Sequence, residues 1–138
     1  MTLTLRGRWQ TRFLLVVTMG SLITIVIGAL FEDLQTAFVS LGYILIFGLV
    51  WDAVYFYLQS RRWDHDWTPA LYLISGIFES IVLIVGIRLI GLPGISPEYG
   101  VLNFLFHYWT VWVGMMVVMF GPMRVIFPRW RFRGGQWL

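Results

Sequence analysis

The sequence predicts an all-α integral membrane protein: a four-helix transmembrane bundle of up-and-down topology with both termini cytoplasmic. Three observations carry this. The 138 residues are 59% hydrophobic and only 12% charged, about half the charged fraction of a soluble domain. Four apolar runs, residues 13–31, 37–58, 70–91 and 101–121, are each long enough to cross a bilayer. Arginine is distributed unequally between the segments that join them. The four spans consume most of the length, so the chain reads as a single transmembrane domain, with residues 122–138 as an arginine- and aromatic-rich interfacial tail.

Residues 1–12 form a short polar leader containing Arg6, Arg8 and Arg12. The apolar run that follows exceeds a signal-peptide h-region and ends in Glu32 and Asp33 without a small-residue cleavage site, so it reads as a retained first span. Gly20, Thr24 and Gly28 recur every four residues on one face, a spacing that lets another helix approach closely in lipid. The second span is thinned by Gly42 and Gly48 and ends in the aromatic stretch from Trp51 to Tyr57, which marks the interface. Asp52 lies roughly 10 Å inside that end.

Thr68 followed by Pro69 reads as an N-cap and first helical residue. In the third span Glu79 lies roughly 13 Å deep, measured from the same side as Asp52. Ser75, Gly76, Ser80 and Gly86 share its neighbouring faces, which points that side into the bundle. Arg88 sits near the far boundary. A proline- and glycine-rich loop from Leu92 to Gly100 precedes the fourth span, which carries His107 among aromatics and is closed by Pro122.

Nine arginines collect on the side of the termini and Arg88 stands alone on the other, which places both termini in the cytoplasm or its equivalent. There is no cysteine and no lysine. Disulfides, thiolate nucleophiles and Cys-bound metals are excluded, as is Schiff-base chemistry. The net charge of +3 does not argue for nucleic acid, because the arginines flank spans.

Glu79 is the sharpest functional candidate, since a carboxylate at bilayer depth needs a partner, a proton or a job. With Asp52 it reads either as an ion or proton site or as a helix-pairing group whose partner is a Tyr, Ser or Arg on a neighbouring helix or protein. Arg88 reads as a residue that snorkels to headgroups or pairs with an acid such as Glu98. His107 has the setting of an axial ligand for haem or a pigment. The only other histidine, His65, is in a loop, so a hydrogen-bonding histidine is the simpler reading. Asp64-His65-Asp66 is explained by pairing with Arg61 and Arg62 and by capping, with no metal. Arg129, Trp130, Arg131, Phe132 and Arg133 alternate with period two. If extended, this strip presents arginines on one face and rings on the other, as a lipid or partner contact.

Function is ranked in three readings. The first is a structural or interaction subunit of an oligomer or larger membrane complex, contacting lipids and other membrane proteins. The second is a proton- or cation-coupled small transporter or channel using Glu79. In layout the chain is similar to the small multidrug resistance transporters: four short spans, a membrane-embedded glutamate and aromatics nearby. That family carries its essential glutamate in the first span, where this chain has no acid, so no residue is carried over. The third is an intramembrane lipid-modifying enzyme using Asp52, Glu79 or His107. It ranks last, because HExxH and GxSxG settings are both missing.

Overall fold

The computed structural model describes residues 2–138. It is all-helical, with no strand among the described residues. Four helices are long and apolar enough to cross a membrane: α1 (Leu5–Leu30), α2 (Leu34–Arg61), α3 (Pro69–Leu89) and α4, whose apolar stretch Val101–Ile126 is interrupted at Gly121. A 3-10 turn, Pro97–Tyr99, leads into α4, and a short helix, α5 (Pro128–Phe132), follows it.

Side-chain chemistry sets the helix starts. Thr4, Asp33 and Thr68 each cap a helix by accepting from a backbone N–H, of Gly7, Thr36 and Leu71 respectively. Two of the sequence boundaries move for this reason. The leader joins the first helix, because Thr4 starts it at Leu5 rather than at Phe13. Pro122 does not close the fourth span. Gly121 breaks it, and Pro122 opens one further turn, Pro122–Ile126, because proline suits a first helical position.

Contacts at the two ends give the chain direction. At one end Gln59 donates to the Leu3 and His65 carbonyls, and the Thr4 N–H donates to the Gly134 carbonyl. At the other, Tyr43 donates to the Pro93 carbonyl, and Phe31 meets Tyr99 edge-on at 5.9 Å. Consecutive helices therefore run in opposite directions, as short connections require. The core is aromatic and centred on α4, with Phe104, Tyr108, Val111, Trp112 and Met115 buried against Ile44, Tyr72 and Leu83. Outward faces are apolar too, with Leu22, Val26, Ile46 and Val50 exposed.

A π-helical turn, Val16–Gly20, interrupts α1. Residues 8, 12, 16, 20, 24 and 28 are all buried, a strict four-residue repeat. On an α-helix each such step overshoots a full turn by about 40°, or about 200° over five steps. The extra residue in a π turn takes back about 100° of that drift. The π turn thus lets one stripe of α1 face the interior along its whole length.

Candidate functional site

That stripe delivers Arg12 to the centre of the bundle. Its Nε donates to Asp52 Oδ2 at 2.8 Å and its Nη2 to Asp52 Oδ1 at 2.9 Å. This is the two-pronged geometry that a planar guanidinium offers a carboxylate. The same guanidinium reaches Glu79, with Nη2 to Oε1 at 3.2 Å and Nη1 to Oε2 at 3.4 Å. Arg12 is 7% exposed and Glu79 1%. Three helices, α1, α2 and α3, are therefore joined through one cation.

Two glycines clear the space. A β-carbon on Gly48, one turn before Asp52, would fall 2.7 Å from Arg12 Cζ. One on Gly76, one turn before Ser80, would fall 2.6 Å from Trp112 Nε1. Trp112 in turn lies beneath the guanidinium, 5.3 Å from its ring centre to Arg12 Cζ, and stacks on Tyr72 at 4.6 Å. The cation is thus flanked by an aromatic face as well as by its carboxylates.

Arg8, one turn earlier, supplies the second interior cation. Its Nη2 donates to Gln59 Oε1 at 2.6 Å and its guanidinium sits over Trp67 at 4.5 Å. Its Nε is shielded from water and has no hydrogen-bond partner. A cavity of about 30 Å³, lined by Arg8, Thr11, Arg12, Asp52 and Tyr72 among others, adjoins it, which is room for one or two waters. Two arginines and two carboxylates thus share this buried region.

Other interior polar groups bond across helices. Tyr55 donates to the Ser75 carbonyl and Tyr108 to the Gly76 carbonyl. His107 has both ring nitrogens within hydrogen-bond reach, Nε2 of Thr24 Oγ1 at 2.9 Å and Nδ1 of the Tyr99 hydroxyl at 3.4 Å. Tyr99 lies outside the four long helices, and burial pushes its hydroxyl up to about 12. Gly20 and Gly28 approach Leu41, Leu34 and Ala37 of α2, while Thr24 serves His107. The small-residue face of α1 is thus covered within the chain.

Arg88 lies exposed in the last turn of α3, beside a crevice lined by Leu92, Pro93 and Gly94, with no ion pair among the described residues. In the 62–68 loop, Arg62 pairs with Asp64 at 2.8 Å. The hydrogen bond from Arg62 holds the Asp64 carboxyl below the usual carboxylate range.

The tail is not the extended strip that its alternation suggests. Pro128 starts a helical turn, so Trp130 and Phe132 part company: Trp130 is 2% exposed and Phe132 82%. Trp130 Nε1 donates to Thr11 Oγ1 at 2.9 Å, and Thr11 Oγ1 donates to the Gly135 carbonyl at 3.0 Å. Gln136 donates to Thr4 Oγ1, and the Trp137 N–H donates to Gln10. The tail therefore folds over the start of α1, leaving Arg129, Arg131 and Arg133 exposed.

Asp52 and Glu79 stand out in the sequence, but Arg12 is hidden there among the leader's arginines. A depth count finds it. Arg12 is seven residues into α1, about 10 Å from its start, while Asp52 and Glu79 lie about 13 and 15 Å from the same ends of α2 and α3. No known protein family, curated protein or solved structure matches this chain.

Proposed function

We propose that the chain is a small multi-pass membrane protein, with both termini cytoplasmic, that acts as a structural or interaction subunit of an oligomer or larger membrane complex. The observation that carries this reading is the closure of the charge cluster: Arg12 engages both interior carboxylates within the same chain. A bundle whose interior carboxylates are both paired within the chain presents its outside for work. That outside is apolar along the helices and, at the end that carries the termini, exposes Trp9, Trp63 and several arginines, a surface suited to lipid and to other membrane proteins.

The test is purification from the native membrane in gentle detergent, read by native mass and visible absorption. A stoichiometric partner or a defined homo-oligomer supports the subunit reading. A colourless monomer overturns it.

One observation favours proton- or cation-coupled transport as the second reading. Glu79 holds Arg12 at 3.2 and 3.4 Å, more loosely than Asp52 does at 2.8 and 2.9 Å. A carboxylate that releases its cation is free to take a proton. Proton flux into liposomes that is lost in Glu79→Gln supports transport, and equal flux in wild type and variant removes it.

A further inference from the structure

We infer that the folded tail forms a binding site for the phosphate of one anionic phospholipid in the leaflet on the side of the termini. This rests on reading the chain as a membrane protein, not on its being a subunit.

A groove of about 390 Å³ is lined by Phe127, Arg129, Trp130, Arg133, Gln136 and Trp137, with Ile126 and Pro128 at its edge. A second hollow, lined by Pro128, Arg129, Phe132 and Arg133, adjoins it. Arg129 and Arg133 line both. They stand one helical turn apart, a like-charge spacing that destabilises a helix unless an anion lies between the two. Neither has an ion pair among the described residues. The Trp137 ring forms part of the groove wall, with its N–H shielded from solvent. The groove is thus rich in donors and carries no carboxylate. Two planar guanidiniums suit phosphate oxygens.

The rim supplies the other half of a lipid's chemistry. Ile126, Phe127 and Phe132 are exposed and apolar, and they flank the same two arginines. The last turn of the Val101–Ile126 stretch leads straight into the groove, so a headgroup there would have its acyl chains beside α4. Arg6, Arg61 and Arg124 lie at the same end and add a general positive field. Asp64 at that end is already held by Arg62. An acidic membrane lipid fits this combination better than a free phosphate, which has no use for the apolar rim.

The experiment is native mass spectrometry of the full chain released from nanodiscs holding equal amounts of phosphatidylglycerol and phosphatidylcholine. The expected result is one retained phosphatidylglycerol. R129Q/R133Q should weaken its retention by about tenfold or more, since it removes both planar forks from the phosphate as well as their charge. R6Q/R61Q makes the same charge change outside the groove, loses only the screened long-range field and should weaken retention severalfold less. If R129Q/R133Q loses the native circular dichroism, R129K/R133K replaces it. That variant keeps the charge but loses the planar fork, and is expected to retain the lipid severalfold less well.

Equal loss in R6Q/R61Q, or no preference for phosphatidylglycerol, overturns the site. So does displacement of the lipid by excess inorganic phosphate, which would make the groove a site for the free ion. A monomer that still retains the lipid keeps this inference while removing the subunit reading. An oligomer without lipid preference does the reverse.

Discussion

Replacing Arg12 with methionine keeps an unbranched side chain in the interior and removes its charge. Asp52 and Glu79 would then share a buried site with no cation between them. Removing one partner of a buried ion pair costs about 3–5 kcal/mol, mostly because the other is left uncompensated. The geometry gives a similar figure: the two short bonds to Asp52, at 2.8 and 2.9 Å, each contribute about 1.5–3 kcal/mol as charge-assisted bonds. The contrast is the triple variant Arg12→Met, Asp52→Asn, Glu79→Gln. It removes the three bonded charges together but leaves Arg8 as the one buried charge of the cluster, so it should be more stable than Arg12→Met and less stable than wild type. Both variants are measured by SDS-titrated unfolding in mixed micelles, followed by circular dichroism. The reasoning is refuted if Arg12→Met costs less than about 1 kcal/mol, the range of a solvent-exposed pair. It is equally refuted if the triple variant is no more stable than the single one.

Other sites give further outcomes. Gly48→Ala places a methyl group against the Arg12 guanidinium and should cost about 1–3 kcal/mol by the same unfolding assay. Gly42→Ala on the same helix meets nothing within 4 Å and should be neutral or gain up to about 1 kcal/mol. Trp130→Phe removes the donor to Thr11 and should cost about 1 kcal/mol. It should also speed hydrogen exchange at the Thr4 amide, which is bonded to the Gly134 carbonyl. Hydrogen bonds from Thr36 hold the Asp33 carboxyl below its usual range. A depressed folded value means the cap is fully present above the unfolded carboxyl range, near pH 4, and is lost as pH falls through the folded one. Exchange at the Thr36 amide should therefore gain an acid-dependent component in wild type that Asp33→Asn lacks.

The fold was legible because four apolar runs of sufficient length leave few alternatives for so short a chain. The buried acids were legible for the same reason, since Asp52 and Glu79 interrupt apolar sequence. Arg12 was not, because the residues just before it are polar and a window of hydropathy assigns it to the leader. What decides its position is the Thr4 cap, a local signal eight residues away, together with the glycine notch at Gly48 on another helix. Hydropathy averages carry neither. The tail misled for a different reason. Alternation of period two suits a strand, but Pro128 favours a helical first turn and Thr11 offers Trp130 a buried acceptor. The face of Gly20, Thr24 and Gly28 was visible as a packing face, yet its partner was not: sequence spacing cannot say whether the approaching helix belongs to the same chain.

The closed ion cluster is tested most directly by solid-state NMR distance measurement in lipid bilayers. The protein is prepared with nitrogen-labelled arginine and carbon-labelled aspartate and glutamate, either in the same chain or in separate chains mixed before reconstitution. Closure within the chain predicts strong dephasing between Arg12 and both the Asp52 and Glu79 carboxyls when the labels share a chain, and none when they are in separate chains. Dephasing that persists in the mixed sample would mean that Arg12 pairs across an interface, and its absence in both samples would mean that the cluster does not form.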